Sequence, residues 1–361
     1  MNTVKLGLVS TSWFAELVHI PSIQSHAGAE LVSICGRNRE NAQEVAEKYK
    51  IPKVYTDYRA QIDSNELDAI VIASPDDMHY EMVVYALEAG MHVLCEKPMA
   101  SNVEQARHMV NAAEKAGVVH MVNFSWRWMP MYQFVRDLVG EGVIGKPNYL
   151  NIHYQSSHGL ELQGWRFDAD RAAGVLGDLG AHILHISTLL GGKVADVSAI
   201  LSAFVAPQEA QEIPANPANN SACLLLKYAT GMHGMMHASA STHLGVRGQV
   251  HSVEISGSEA TLTGMMDMSG PDEVTCVRKG SESAEKLCVP DVYWSGVDRT
   301  KEKFEQIKDL LMTHPVGARA FIEAIQNGFT DYPDFKDGLH VQEVIDAALK
   351  SDVEGRSVPV G

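Results

Sequence analysis

Asp178, His182 and His185 follow one another at spacings of four and three, which on a helix sets a carboxylate and two imidazoles on one face. A carboxylate one turn from an imidazole orients the ring and holds its tautomer, as general acid–base work requires. The same spacing suits a surface hydrogen bond, buried core histidines, or metal ligands, although no fourth-ligand cluster accompanies them. The second candidate is Lys97, in Met91-His92-Val93-Leu94-Cys95-Glu96-Lys97-Pro98. Four strand-forming residues bounded by Gly90 and Pro98 read as a short, buried parallel strand. Open α/β sheets bind their ligands outside the carboxyl ends of such strands, which places Lys97 where chemistry happens. Pro98 fixes the backbone just behind the amine. Taken alone, Glu96-Lys97 also reads as a solvated charge pair leaving a strand; the neighbouring elements decide between the two.

Those elements alternate. Strand-like runs at 4–9, 30–35, 69–73, 92–95 and 118–123 are separated by helical patterns, the clearest at 38–49, 77–88 and 103–116. Alternation of this kind predicts a right-handed, doubly wound parallel sheet. In its first turn, Ser10-Thr11-Ser12-Trp13-Phe14-Ala15, serines and alanine occupy the three small-residue positions of a dinucleotide-binding GxGxxG/A turn. Small residues let a pyrophosphate approach the helix N-terminus, although helix capping explains Thr11 and Ser12 as well. After the second strand comes Gly36-Arg37-Asn38, with no acid to bind the adenosine ribose. Arg37 is either a surface arginine beside a helix cap or a partner for a 2′-phosphate, and the reading leans to NADP over NAD. Ser74-Pro75 ends a further strand, and His79 sits in the first turn of the next helix.

Beyond residue 124 the pattern changes to a helix at 129–140, a strand at 148–155, and the helix of Asp178 and His182, led in by Gly174-Val175-Leu176-Gly177. Strand-like runs then follow at 197–204, 221–227, 232–241, 252–256 and 260–263, which together predict an antiparallel sheet. One face of that sheet is expected to pack on helices and the other to meet a partner subunit. Met232, Met235 and Met236 read as core or interface, and Tyr293 and Trp294 as substrate loop or core. Residues 264–300 look mostly irregular. The end is helical again, with Ala320, Phe321, Ala324 and Ile325 on one stripe and Val341, Val344, Ile345, Ala348 and Leu349 on another. His153, Tyr154 and His158 are strand or loop residues that either face a polar pocket or serve structure alone. Gly164-Trp165-Arg166 reads as a functional loop or as an aromatic core anchor with a snorkelling arginine.

By this point a combination has accumulated. Ser74-Pro75, His79, Ala89-Gly90, His92-Val93, Glu96-Lys97-Pro98 and Asn123-Phe124-Ser125-Trp126-Arg127 resemble the glucose–fructose oxidoreductase / inositol dehydrogenase / MocA family. Gly142–Gly145, Gly164-Trp165-Arg166, Gly177–His182 and Asp337-Gly338-Leu339 extend the resemblance over nearly the whole chain. It implies a Rossmann domain at 1–124 and a C-terminal α/β domain at 125–361 with a large, mostly antiparallel open sheet. That sheet is implied to build a homodimer or homotetramer. The implied activity is NAD(P)-dependent oxidation or reduction of a sugar, polyol or related carbonyl. Lys97, His182 and Asp178 are the implied catalytic residues, with Arg127 and Tyr154 helping to bind substrate. On the cofactor side the resemblance implies Ser10 to Phe14, including Trp13, then Gly36, Arg37, Ser74, Pro75, His79, Glu96, Lys97, Asn123, Trp165 and Arg166. Where His185 stands, the family often carries aspartate. Two other readings share the fold: a glycosidase that uses bound NAD for transient oxidation, and a non-catalytic sensor of sugars or dinucleotides. The presence of Lys97, Asp178 and His182 argues against the sensor.

Composition narrows the partners. With 361 residues, 45% hydrophobic and 20% charged, the chain has the make-up of a globular protein of two domains. A formal charge of −16 opposes binding to nucleic acid or anionic membranes, and the expected partner is a small molecule; no metal is expected, since no further ligand cluster accompanies Asp178, His182 and His185. Five scattered cysteines form no CxxC and read as reduced thiols of a cytoplasmic protein. A first strand beginning by Val4 leaves no room for a signal peptide.

Overall fold

The computed structural model describes residues 3–157, 164–204 and 214–361. The chain forms two compact units, one of Met1–Phe124 with Ile307–Leu339, the other of Ser125–Gln306 with His340–Gly361.

The first unit is built on six parallel strands: β1 (Val4–Val9), β2 (Ala29–Cys35), β3 (Lys53–Tyr55), β4 (Ala69–Ile72), β5 (His92–Cys95) and β6 (His120–Val122). Their order is β3-β2-β1-β4-β5-β6, so the connections reverse direction between β1 and β4. Dinucleotides bind at such a switch point. Leu6, Leu8, Ile34, Ile70, Ile72, Val93 and Leu94 are buried, as expected of strands covered on both faces. The helix at Arg39–Tyr49 starts where Asn38 accepts a hydrogen bond from the Asn41 N–H, and the one at Val103–Ala116 where Asn102 does the same for Gln105. The helix expected from residue 77 instead begins at His79, because a tight turn over Asp76–Met78 precedes it. Gly338 packs here too. A Cβ at that position would lie 2.6 Å from the Met99 sulfur and 2.7 Å from Val122 Cγ2.

The second unit carries nine strands: β7 (Pro147–Ser156), β8 (Val194–Ser202), β9 (Ser221–Tyr228), β10 (His233–Ser239), β11 (Gln249–Gly257), β12 (Ala260–Asp267), β13 (Glu273–Arg278), β14 (Glu285–Leu287) and β15 (Val358–Pro359). Their order is β14-β13-β12-β11-β7-β10-β9-β8-β15, antiparallel except where β7 meets β10. The stretch 264–300, expected to be irregular, in fact completes β12 and adds β13 and β14. The helices Pro130–Gly140 and Ala181–Gly191 pack on one face of the sheet, against β12 and β7 respectively. Alternation along β9 is clean: Ala222, Leu224, Leu226 and Tyr228 are buried, while Cys223, Leu225 and Lys227 are exposed. Among the methionines, Met232 and Met236 belong to the core and Met235 is exposed. In the last helix the stripe is buried at Val341, Val344, Ile345 and Ala348, but Leu349 is exposed. Among the described residues no helix is long and apolar enough to cross a membrane.

Candidate active site

In the first unit the turn after β1 folds on itself. Ser10 Oγ donates to Ser12 Oγ at 2.9 Å and accepts from the Ser12 N–H at 3.1 Å, and Ser12 Oγ accepts from the Ala15 N–H at 3.2 Å. Ser12 is thus a helix cap, and the first N–H groups of the following helix have no acceptor within it. A helix start edged by small residues fits a dinucleotide pyrophosphate. Gly36 fits as well: a Cβ there would stand 2.5 Å from Thr11 Cγ2, so only glycine lets the end of β2 close on this turn. Thr11 Oγ1 accepts from Asn41 Nδ2 at 2.8 Å, tying the turn to the helix behind Arg37. Arg37 and Arg39 are exposed beside it. Trp13 is 67% exposed, and Phe14 stands edge-on to the His19 ring.

His19 leads to the lysine. Its Nε2 lies 2.9 Å from Glu96 Oε1, which also accepts from Asn123 Nδ2 at 2.6 Å. Burial pushes the Glu96 carboxyl up, but the His19 and Asn123 contacts and the Lys97 charge outweigh it and hold it below the usual carboxylate range. Lys97 follows at the end of β5, half-exposed, its N–H 3.3 Å from Glu96 Oε2, and the Lys97–Pro98 bond is cis. Ser74 and Pro75 come just after β4, and His79, wholly buried, turns both ring nitrogens to backbone oxygens.

Glu96 gives a stability prediction. Glu96→Ala leaves buried His19 and Asn123 groups without their acceptor, at about 1–3 kcal/mol each, so urea unfolding at pH 7 should show a loss of roughly 2–6 kcal/mol. Because the folded-state pKa is lowered, the wild-type contribution is present above the unfolded value of about 4.3 and lost as pH falls through the folded value. The gap between wild type and variant should therefore narrow in acid; a gap that widens would contradict the assignment.

In the second unit Asp178 sits in a π-turn, Leu176–Gly180, that runs directly into the helix of His182 and His185. Such turns carry one extra residue in the ladder and recur at functional sites. Asn219 clamps its start: its backbone oxygen accepts from the Val175 N–H, its side-chain oxygen from the Leu176 N–H, and its Nδ2 donates to Ala173 O. Gly174 is obligatory here, with φ +62 and only 2.3 Å between a built Cβ and Asn219 O. Arg166 Nε comes to 3.7 Å from Asp178 Oδ1 while its guanidinium lies over the Trp165 ring at 4.4 Å.

The buried His182 has the Trp126 ring edge-on, 6.5 Å between centroids. Trp126 in turn packs on His251 at 4.4 Å, and Tyr154 stacks on His251 at 3.8 Å. Burial pushes His251 down to about 3, so it is a neutral spacer between the two rings. Tyr154 is buried, bonds Gln249 Oε1 through its hydroxyl, and is pushed up by burial and by the nearby Asp178 charge. Arg127 is buried, and its charge adds to the burial that holds His185 well below the ordinary histidine value.

The structure thus groups Glu96, Lys97, Asn123 and His79 in one unit, and Asp178, Arg166, Tyr154 and His182 in the other. His153 lies on the opposite sheet face from Tyr154, beside His237, and His158 is outside the described residues. Tyr293 bonds Asp137 and Trp294 is buried. Sequence reasoning missed His19, His251 and Asn219 and quoted Trp126 only within its segment, without a role; the small-residue turn that the chain must close was the signal for Asn219. Among the described residues no group of three or more His, Cys, Asp or Glu is set to hold a metal.

Comparison with known proteins gives the family and the fold. Residues 4–124 match the oxidoreductase family, NAD-binding Rossmann fold, and residues 136–360 match its C-terminal alpha/beta domain. A levoglucosan dehydrogenase of Pseudarthrobacter phenanthrenivorans is 27% identical over 341 residues, 88% of this chain and 86% of that protein. A D-apiose dehydrogenase of Paraburkholderia graminis is 26% identical over 355 residues, 98% of this chain and 89% of that protein. The fold superposes on a levoglucosan dehydrogenase in complex with NADH with a TM-score of 0.88 over 100% of both chains, at 23% identity.

Proposed function

Because the chain belongs to the Gfo/Idh/MocA oxidoreductase family, we propose that it interconverts a secondary alcohol and a ketone on a cyclic sugar or polyol. The chain is a nicotinamide-dependent dehydrogenase of CH–OH groups. When bound, the nicotinamide accepts or donates the hydride. The reading is supported by one acid–base set within each unit: Lys97 next to the buried Glu96 network in the first, and Asp178 in the π-turn that leads into the helix of His182 in the second.

Lys97 and His182 are assigned to the substrate hydroxyl, one holding its proton and the other polarising its oxygen. Asp178 orients the imidazole and binds neighbouring hydroxyls, with Arg166 at 3.7 Å limiting its charge. Half-buried Trp126, backed by the buried His251 and Tyr154, gives the second unit an aromatic ring beside His182, which suits the C–H face of a sugar ring. Arg127 supports substrate binding from behind, through the neutral His185. On the cofactor side we assign Ser10 to Phe14, Gly36, Arg37, Ser74, Pro75, Asn123 and the Trp165-Arg166 pair. The deciding experiment is a screen of sugars, polyols and ketosugars with both cofactors, followed by absorbance of the reduced nicotinamide. Turnover that leaves no net reduced cofactor would point instead to the redox-neutral glycosidase, and cofactor binding without any turnover to a sensor.

The preference between cofactors turns on Arg37. No acid follows β2, and Arg37 and Arg39 are both exposed there, which favours the 2′-phosphate of NADP. The levoglucosan dehydrogenase structure named above holds NADH, so the point needs its own test. Wild type should prefer NADP, and Arg37→Asp should invert the order by exchanging an attraction for a repulsion. An unchanged ratio of kcat/KM for the two cofactors would remove Arg37 from the site.

The open face of the nine-stranded sheet supports a homo-oligomer. Ile200 lies opposite Cys223, Leu225 opposite Met235, and Val277 opposite Thr261, and the alternation along β9 and β12 and the pairing across β7 and β11 put these six, with Met265, on one face. Ile200, Leu225 and Met235 are exposed on it along the neighbouring strands β8, β9 and β10, and Met265 and Val277 along β12 and β13, apolar side chains that a partner would cover. A second copy of the chain is the proposed cover, and a monomer in sedimentation at micromolar concentration would remove it. The five free thiols, two of them exposed, fit a reducing compartment, and the cytoplasm is the proposed location.

A further inference from the structure

His79 opens the helix His79–Glu88 and is wholly buried. Its Nδ1 lies 2.9 Å from Pro98 O and its Nε2 lies 2.9 Å from Ser74 O. Ser74 comes just after β4 and Pro98 just after β5, and these strands are paired neighbours. One ring therefore spans the ends of both strands, and one of its contacts is the residue next to Lys97. Carbonyls beyond a strand end have left the ladder, and a buried one needs a donor from elsewhere.

We propose that His79 is a positioning residue for Lys97, a ring staple that sets the Lys97–Pro98 segment through the Pro98 carbonyl. The inference rests on the reading of Lys97 as an acid–base group. It also gives His79 a role other than touching the dinucleotide, since both nitrogens that would make such a contact are turned to the protein's own backbone. Burial holds the ring below the ordinary histidine range, against the two carbonyls and Glu96 and in the same direction as Lys97. A neutral imidazole has a single N–H and can donate to only one of the two carbonyls; in the proposed staple that proton sits on Nδ1 and goes to the Pro98 carbonyl, so the two contacts are separable.

Separation is possible by substitution. The asparagine amide nitrogen takes the place of Nδ1, and the glutamine amide nitrogen that of Nε2. His79→Asn keeps a donor for Pro98, His79→Gln keeps one for Ser74, and His79→Leu keeps neither. A small misplacement of a reacting group costs up to about 10²-fold, so kcat should fall roughly 10–100-fold in His79→Gln and His79→Leu and about 3-fold or less in His79→Asn. The dissociation constant for the dinucleotide, from nicotinamide fluorescence, should stay within about 3-fold in all three. A second readout needs no turnover: the rate of reductive methylation of Lys97 in the cofactor-free protein, followed by peptide mass spectrometry against Lys53. That rate should shift in the Gln and Leu variants and match wild type in the Asn variant. Equal behaviour of Asn and Gln in both readouts would overturn the staple, as would a dinucleotide affinity that falls in step with kcat. If wild type turns over no sugar, the functional reading fails, and the methylation rates still decide the fate of the staple. Should His79→Leu not fold, the Asn and Gln pair carries the comparison alone.

Discussion

Lys97→Ala lowers turnover by roughly 10²–10⁴-fold, the range that a positioned proton-transfer group contributes, while leaving dinucleotide binding nearly intact. The expectation comes from where the amine is rooted. Lys97 is the second residue past β5, in a strand whose Val93 and Leu94 are wholly buried, so its backbone cannot drift. On one side Glu96 is fixed by His19 and Asn123, and on the other Pro98 is held by His79. Such a site can give one side chain a reproducible direction, which a surface lysine lacks. Lys97→Arg separates charge from proton transfer, because a guanidinium keeps the positive charge but does not give up its proton at working pH. It should therefore be nearly as slow as alanine. Stopped-flow absorbance of the reduced nicotinamide measures the chemical step, and quenching of protein fluorescence measures binding. Near-normal turnover in either variant would take Lys97 out of the mechanism and leave Glu96-Lys97 as a charge pair leaving a strand.

How far the sequence showed this arrangement depends on the range of the contacts involved. β5 was legible because a buried apolar run between Gly90 and Pro98 has few other readings, and the helix at Val103–Ala116 because its apolar spacing and its ends agree. β3 was missed because three half-buried residues make no pattern. β13 and β14 were missed for a related reason: short, partly exposed strands near a sheet edge carry charges where an inner strand carries valine. In the candidate site, helical spacing singled out Asp178 and His182, and the end of a buried strand together with its neighbouring elements singled out Lys97. The supports of these residues come from far along the chain. His19 and Glu96 are 77 residues apart, and the Asn219 side chain reaches back 43 and 46 residues to the turn of Asp178. Nothing in the pattern around Asn219 or His251 announces such a partner, since a buried imidazole between aromatic rings has the same sequence signature as any core histidine. Arg166 is intermediate. The sequence marked it as a loop residue, and only the structure sets it beside Asp178.

That contact sharpens the test of Asp178 and His182. If Asp178 merely solvates its helix, Asp178→Asn is nearly silent in rate and stability. If it orients His182, the amide can still accept a hydrogen bond but no longer supplies the charge that favours the imidazolium. The acidic limb of the pH–rate profile should then move to lower pH, because an imidazolium without its anion gives up its proton more easily. Arg166 predicts a shift of the opposite sign. Its guanidinium at 3.7 Å offsets the Asp178 charge, so Arg166→Met should strengthen that field and move the same limb to higher pH. A purely structural role for either residue would produce no such pair of opposed shifts. His182→Ala should lose most turnover, at least about 10²-fold, with dinucleotide affinity little changed. The double variant Asp178→Asn/His182→Ala should be scarcely slower than His182→Ala alone, since an orienting carboxylate has nothing left to orient. Fully additive losses, or a pH limb that stays in place in both Asp178→Asn and Arg166→Met, would mean that the π-turn sets these residues side by side without making them a catalytic pair.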